Sequence, residues 1–173
     1  ARGDVAVRVT AQPGADGKTG WLTARGDDVS VHAALSTAPR SYALRVRFTD
    51  RAGAPTDRAL GSVYGPDGTT RPIGADGVVR LPAGTYTVDG KVFEPGGGVT
   101  MLRRPAVVVA GDTTVALDAR SGRPVTVAPP RPGVAPVYAQ VAVTTASGVT
   151  TAVQDDTFAD MTTAQLGGAD RVR

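Results

Sequence analysis

Residues 42–117 constrain the fold most, because short apolar alternations recur there between turn-forming residues. At the centre of this stretch, residues 77–88 read Gly-Val-Val-Arg-Leu-Pro-Ala-Gly-Thr-Tyr-Thr-Val, so that two alternating segments flank a Pro-Ala-Gly corner. Alternation places successive side chains on opposite faces of a β-strand, and Gly and Pro supply the backbone angles of tight turns. Short strands at regular turn spacing are typical of a β-sandwich. The pattern therefore predicts architecture, and none of its residues is arranged for chemistry.

The same alternation predicts which side chains form the core. On the first strand of the stretch, Leu44 and Val46 share one face, whereas Arg45 and Arg47 share the other. Aromatic residues make up only 5% of the chain, so we expect a mainly aliphatic core. The residues predicted to be buried are Leu44, Val46, Phe48, Val63, Val79, Leu81, Tyr86, Val88, Val107, Val109, Val115 and Leu117.

Turn residues, prolines and strand patterns divide the chain into four segments. Residues 1–38 are predicted to form an N-terminal β segment, and residues 39–119 the sandwich. Residues 120–136 are rich in proline, which removes a backbone donor and fixes φ, so they are predicted to be a stiff linker. Residues 137–173 are predicted to form a smaller or incomplete C-terminal β segment. Its last apolar stretch, residues 161–166, is predicted as strand rather than short helix because its threonines are β-branched.

The segments outside the sandwich carry weaker strand signals. Val5, Val7 and Val9 alternate and predict a strand, and Val125 and Val127 are candidates for an edge strand within the linker. Each end segment has too few strands to bury a core that offsets its loss of backbone entropy. We therefore expect the two ends to pair with each other or to depend on sequence outside this chain, and we expect the chain to be part of a longer protein.

Residue counts limit the chemistry that the chain can perform. It contains no cysteine, which excludes disulfides, thiolate nucleophiles and cysteine-ligated metals. The single histidine, His32, lies on the polar side of a strand that contains Val29 and Val31, where we expect it to be exposed. No Gly-x-Ser-x-Gly motif is present to supply the nucleophile of a catalytic triad. The sequence therefore predicts that this chain is not an enzyme and uses no cofactor.

Only oxygen ligands remain for a metal site, and these suit Ca²⁺ better than Zn²⁺. The carboxylate pairs are Asp27 with Asp28 and Asp155 with Asp156, and neither belongs to a spaced Asp-x-Asp-x-Asp-Gly loop. Turn aspartates usually accept hydrogen bonds from backbone N–H groups. We predict no metal site, although Ca²⁺ binding by loop aspartates stays open.

The charge pattern argues against two classes of partner. The formal net charge of the 173-residue chain is +3, but arginines and aspartates alternate and no basic block forms. Mixed surface charge of this kind predicts no nucleic-acid partner. No run approaches the roughly 18 apolar residues of a membrane span, and the first residues lack the apolar region of a signal peptide. The preference for Arg over Lys, with abundant Ala, Gly, Val and Thr, indicates a GC-rich bacterial genome.

Trp21 and Tyr64 are the candidate ligand-surface residues. Exposed aromatic rings can stack on sugars, which would suit a carbohydrate or cell-wall binding module. The alternative is that the only tryptophan of an aliphatic sandwich belongs to its core.

The turns of residues 41–119 carry a resemblance to a known family. A first strand ends in Asp-Arg-Ala-Gly-Ala-Pro at residues 50–55. Residues 76–86 follow as Asp-Gly-Val-Val-Arg-Leu-Pro-Ala-Gly-Thr-Tyr, and residues 111–114, Gly-Asp-Thr-Thr, precede the last strand. This order resembles the prealbumin-like, carboxypeptidase-regulatory-like sandwich domains. The resemblance implies an all-β fold, a prealbumin-like or Ig-like β-sandwich with a second, smaller or incomplete β unit.

A broader resemblance is carried by residues 45–53, 81–84, 112–120 and 163–167. Together they look like the non-catalytic regions of large secreted subtilisin-like serine peptidases from high-GC bacteria. The Asp-Thr-Gly, His-Gly-Thr and Gly-Thr-Ser-Met-Ala motifs of that family are missing, so no catalytic residue is carried over.

This second resemblance implies a secreted, extracellular accessory module that spaces, stabilises or docks a partner. Its partners would be neighbouring domains of a longer chain or another protein. Two alternatives stay open. The chain could be a module that binds carbohydrate or cell-wall glycan, or a part of a serine peptidase whose catalytic domain lies outside it.

Overall fold

The structure is a computed structural model that describes residues 8, 10, 17–25, 30–128, 131, 133–134, 136–144 and 148–167. Regular structure within these residues is β-strand, apart from one short 3-10 helix at Ala119–Ser121. The all-β class predicted from the sequence is confirmed. The strand predicted at Val5, Val7 and Val9 and the carboxylates of Asp27 and Asp28 lie outside the described residues.

Thirteen strands are present in the described part of the chain. In chain order they are β1 (Thr19–Arg25), β2 (Ser30–Ser36), β3 (Ser41–Thr49), β4 (Ala59–Tyr64), β5 (Thr70–Pro72), β6 (Val78–Pro82), β7 (Gly84–Phe93), β8 (Val99–Val109), β9 (Thr113–Asp118), β10 (Arg123–Pro124), β11 (Ala139–Thr144), β12 (Thr150–Asp155) and β13 (Met161–Gln165).

The chain forms two compact units, Ala1–Ser41 and Tyr42–Arg173. The first contains the antiparallel hairpin of β1 and β2, in which Trp21 lies opposite Ala34. Alternation along this hairpin places most of its aliphatic residues on one face and its hydroxyl-bearing residues on the other. The aliphatic face consists of Leu22, Ala24, Val31, Ala33 and Leu35.

The second unit is built on a sandwich of two sheets. The smaller sheet has the order β6-β3-β9, and the larger has the order β10-β13-β8-β7-β4-β5. Their facing side chains form one cluster, to which both sheets contribute buried Val and Leu residues. Burial of this apolar surface is the main stabilising contribution, at about 25 cal/mol per Å².

The predicted core is confirmed for eleven of its twelve residues, which are buried in this cluster. The twelfth, Phe48, is half-buried and packs against the cluster from its edge. Its ring occupies space that two glycines leave open. A Cβ on Gly90 would lie 2.6 Å from Phe48 Cε1, and a Cβ on Gly61 would lie 2.9 Å from Phe48 Cζ.

A third layer covers part of the other face of the larger sheet. The antiparallel strands β11 and β12 form this layer. Met101 and Leu102 are consecutive on β8 and point to opposite faces, so Leu102 joins the sandwich core while Met101 joins a second cluster. The buried residues of the second cluster are Val99, Met101, Ala139, Val153 and Met161, with Val125, Val141, Val143 and Phe158 packed against them.

A β-bulge changes which face of β8 points into the sandwich. Tyr86 pairs with Val107 and Val88 pairs with Arg104, so one residue of β7 faces two residues of β8, Pro105 and Ala106. Pro105 has no N–H for the ladder, and Ala106 adopts a left-handed φ of 55°. A bulge of this kind adds one residue to one strand and shifts its alternation by one position.

The C-terminal half is not divided into a linker and a separate segment as the sequence patterns predict. β13 pairs in parallel with β8, and β10, within the proposed linker, pairs with β13. The structure therefore joins to the sandwich residues that sequence patterns assigned to a linker and to a separate segment. Parallel neighbours need a long connection, and local patterns cannot show which distant strand they will meet. The prediction that residues 161–166 form a strand is confirmed for Met161–Gln165.

We expect Gly77→Ala to lower the free energy of unfolding by about 3 kcal/mol, because the new methyl group combines an unfavourable φ with a backbone collision. Gly77 has a φ of +69°, and its Cβ would lie 2.6 Å from the carbonyl oxygen of Val46. Urea denaturation followed by circular dichroism measures the change.

Two glycines provide matched controls. Gly68 has a φ of +79° with nothing near its Cβ position, so Gly68→Ala should cost only about 1 kcal/mol. Gly96 lies in open space and has no positive φ, so Gly96→Ala should change stability by less than about 0.5 kcal/mol. Equal losses in all three variants would contradict the role assigned to Gly77.

Candidate functional site

A buried ion pair lies between the larger sheet and the third layer. Asp89 on β7 and Arg103 on β8 are cross-strand neighbours, so both side chains point to the face that β11 and β12 cover. Arg103 Nε lies 3.0 Å from Asp89 Oδ1, and the two side chains are only 6% and 10% exposed. The N–H direction does not meet hydrogen-bond geometry, and Arg103 Nη2 is also buried without a hydrogen-bond partner. The contact is therefore an ion pair with incomplete hydrogen bonding.

Polar contacts join the third layer to this ion pair. Thr151 Oγ1 on β12 donates to Asp89 Oδ2 at 2.9 Å. Lys91, two residues beyond Asp89 on the same face of β7, donates from Nζ to the carbonyl oxygen of Ala152. The hairpin of β11 and β12 is thus held by two polar contacts in addition to the second apolar cluster.

Burial dominates the electrostatics of this site. It raises the pKa of Asp89, because the ionised carboxylate loses its hydration, and the nearby charge of Arg103 only partly opposes that effect. Burial also raises the pKa of the Tyr64 phenol, and the negative charge of Asp89 adds to the rise. The site is therefore a low-dielectric environment in which charge is costly unless it is paired.

An open groove of about 360 Å³ adjoins the ion pair on the same face of the sheet. Leu60, Pro72 and Met101 provide its apolar surface on this face, whereas the side chain of Ile73, at its edge, packs against the sandwich core. Its polar surface comes from Ser62, Tyr64, Asp89, Lys91 and Thr151. The arrangement combines aliphatic side chains with one partly exposed ammonium group, which makes it the candidate functional site of this unit.

Sequence analysis did not single out the residues of this groove apart from Tyr64. Asp89, Lys91 and Arg103 lie on strands, where alternation predicts polar residues on the solvent side. They are enclosed because a third layer covers that side, and no local signal in the sequence predicts such a layer.

The two candidate aromatic residues lie in different compact units. Trp21 is 74% exposed on β1, so the expectation that it belongs to a core is wrong. Tyr64 is only 6% exposed and lies in the wall of the groove, so its ring is not an exposed stacking platform. Ligand binding at either residue stays a prediction.

His32 is exposed, as predicted. Its Nδ1 lies 3.1 Å from Thr23 Oγ1, and its Nε2 lies 3.2 Å from Ser30 Oγ. The imidazole therefore contacts two hydroxyl groups on the polar face of the β1–β2 hairpin.

Turn aspartates cap backbone donors, as predicted. Oδ1 of Asp50 accepts from the N–H of Ala54, and Oδ1 of Asp76 accepts from that of Val78. Asp155 Oδ1 likewise accepts from the backbone of Asp156. In the described part of the chain, no group of three or more His, Asp or Glu side chains is placed to hold a metal ion.

Arg51 forms a polar junction that the sequence pattern did not reveal. Its guanidinium donates to Thr100 Oγ1 at 3.0 Å, to Thr162 Oγ1 at 3.1 Å and to the carbonyl oxygen of Asp160 at 2.9 Å. Its backbone N–H donates to Glu94 Oε1 at 3.2 Å. The turn after β3 is thereby joined to β8 and β13, and this arginine has a structural role.

No protein-family model, curated protein or solved structure matches this chain. Among the described residues, no helix is long and apolar enough to cross a membrane.

We expect Asp89→Leu and Arg103→Met to lower the free energy of unfolding by about 3–5 kcal/mol each, because each leaves a buried charge unpaired. The double variant should lose less than either single variant, since it leaves no charge to solvate. Urea denaturation at pH 7 gives the free energy of unfolding of the native chain, the two single variants and the double variant, which together form a double-mutant cycle.

The pH dependence provides a second readout. The loss caused by Arg103→Met should be smallest in acid. It should grow with pH as Asp89 ionises without its partner, because burial raises the pKa of Asp89 and Arg103 no longer lowers it. Arg120→Met is the matched control, because Arg120 pairs with Asp118 at 2.6 Å but its side chain is 61% exposed. This variant should change the free energy of unfolding little at any pH. Additive losses in the double variant would contradict the coupling.

Proposed function

We propose that this chain is a non-catalytic accessory β-sandwich module of a secreted bacterial protein, with a subtilisin-like serine peptidase as the parent protein. Its role is to space or stabilise neighbouring domains and to dock a partner or substrate. The proposed location is extracellular, and the proposed partners are neighbouring domains of a longer chain or another protein.

The observation that carries this proposal is the structure of the small N-terminal unit. Its described residues form one two-stranded hairpin, and an isolated hairpin is marginally stable in water. Val31 on its aliphatic face is 57% exposed, and Leu22 and Leu35 are half-buried. Covering that face with a neighbouring domain would bury apolar surface and stabilise the hairpin, as a docking module requires.

The use of polar groups in the second unit supports a structural role. Arg51 joins two strands and a loop, Asp50 and Asp76 cap turns, and the ion pair of Asp89 and Arg103 lies between two layers. The resemblance of residues 41–119 to carboxypeptidase-regulatory-like domains and the high-GC composition support the proposed parent class.

We expect trypsin to trim the N-terminal hairpin of the full chain after Arg25 and Arg40 while the Tyr42–Arg173 unit survives. The hairpin has little buried surface to oppose opening, whereas Arg45 and Arg47 lie on a central strand of the sandwich. Limited proteolysis with mass spectrometry identifies the surviving fragment. A hairpin as resistant as the sandwich would contradict the need for a covering partner.

Carbohydrate or cell-wall glycan binding is the second candidate, and the exposure of Trp21 favours it. The hairpin face that carries Trp21 also carries the hydroxyl of Thr23 and the imidazole of His32, which are paired across the strands. An exposed indole beside polar groups suits sugar binding, in which one group stacks and the others donate and accept hydrogen bonds.

This second candidate predicts that the chain is retained on insoluble peptidoglycan and that Trp21→Ala abolishes the retention. Tyr138→Ala is the matched control, because Tyr138 is 56% exposed but lies in the other unit. A pull-down with quantification of bound protein measures both variants. Equal retention of the two variants, or none for the native chain, would exclude a glycan site at Trp21.

A further inference from the structure

The groove beside the third layer leaves aliphatic surface uncovered on a face that this layer covers only in part. Leu60 on β4 is 65% exposed and lines the groove together with Pro72 and Met101. Leu60 lies directly opposite Lys91 of β7, so its side chain points to the same face as the ion pair. A ligand that covered Leu60 would gain from burying it, because a fully buried leucine side chain is strongly stabilising.

The charged groups of the groove, taken together with the buried Arg103 that pairs with Asp89 outside its lining, carry a net positive charge. Asp89 contributes −1 and its partner Arg103 contributes +1 at 3.0 Å, so these two charges offset each other. Lys91 adds a further +1, which gives the group −1 + 1 + 1 = +1. Its ammonium has three donors, of which one is directed to the carbonyl oxygen of Ala152. The remaining donors suit an anionic acceptor, because the low-dielectric surroundings strengthen such an interaction.

Other polar groups of the groove are compatible with a carboxylate. Tyr64 and Ser62 bring hydroxyl groups to the same wall, and a hydroxyl can donate to a carboxylate oxygen. Asp89 would repel an anion, but its Oδ2 already accepts from Thr151 and its Oδ1 lies beside Arg103. Lys91 is therefore the charged group that selects the sign of the ligand.

We propose that this groove binds an aliphatic carboxylate, with the carboxylate at Lys91 and the hydrocarbon chain on Leu60 and Pro72. The volume of about 360 Å³ lies at the small end of ligand pockets and suits a chain of about six to eight carbons. The same chemistry occurs in a free alkyl carboxylate and in the C-terminus of a peptide that ends in Leu or Ile. This proposal is independent of the accessory role, since it concerns only the second unit.

The two lysines of the chain make the test specific. Selective ¹⁵N-lysine labelling of the full chain gives two backbone amide signals, from Lys18 in the first unit and Lys91 in the groove. Titration with octanoate below its micelle concentration should move the Lys91 signal to saturation and leave the Lys18 signal in place. Movement of both signals together, or no saturation, would overturn the proposal.

Variants of the protein test the contact of the carboxylate and the contact of the hydrocarbon chain separately. By calorimetry, Lys91→Met should weaken octanoate binding at least tenfold, whereas Lys91→Arg should retain it and Lys18→Met should leave it unchanged. Leu60→Ser, at an exposed position, should weaken binding about tenfold or more. Unfolding midpoints show whether each variant is folded. If Lys91→Met is unfolded, equal affinity of the native chain for octylamine and octanoate overturns the proposal by itself.

A series of ligands tests the contribution of the hydrocarbon chain and shows whether the groove prefers a free alkyl carboxylate or a peptide C-terminus. Affinity should rise about three- to fourfold for each methylene from butyrate to octanoate. Acetyl-Ala-Leu should compete for the groove, and its C-terminal amide should not. Tighter binding of this peptide than of octanoate assigns the groove to peptide C-termini, and the reverse order assigns it to alkyl carboxylates. A flat series, or competition by the amide, would overturn the proposal.

Discussion

The structure depends on the pairing of β7 with β8, because both faces of the central part of this strand pair are buried. Its inner face places Val88, Val92 and Leu102 in the sandwich core, and its outer face places Met101 and the Asp89–Arg103 pair under the third layer. Central strands with two covered faces resemble the middle layer of a three-layer domain rather than a simple sandwich. The groove exists because the two strands that form the third layer in the described residues leave the β4 side of this face open.

Local sequence patterns predict the sandwich well, because its strands and turns are each marked by residues close together in the sequence. Alternation identifies Leu44 and Val46 as core residues, and turn residues such as Gly77 and Asp76 mark where strands end. The same reasoning fails for the second apolar cluster. Ala139 is fully buried although it is small and follows a proline-rich stretch, and Met161 belongs to a strand whose partner, Val99, is distant in sequence.

The candidate site illustrates the same limit in terms of charge. A lysine, an aspartate and an arginine on alternating strand positions predict a solvated face, and their enclosure depends on Thr151 and Ala152 from a hairpin far along the chain. Tyr64 follows Val63, a predicted core residue, so alternation places it on the outer face, yet it is buried. Burial of polar residues is therefore a tertiary property here, whereas burial of valine and leucine is largely a property of the sequence pattern.

The bulge at Pro105 and Ala106 has a consequence for how insertions and deletions act on this chain. Before it, the odd-numbered residues Val99, Met101 and Arg103 face the third layer, and after it Val107 and Val109 face the sandwich. The extra residue therefore exchanges the two faces of β8. The odd-numbered residues face the third layer before the bulge and the sandwich core after it. Length changes in the exposed turns leave that phase intact, whereas losing one residue here would exchange the two faces for the rest of the strand. The effect of a length change within β8 on its buried faces therefore depends on where the change falls relative to this bulge.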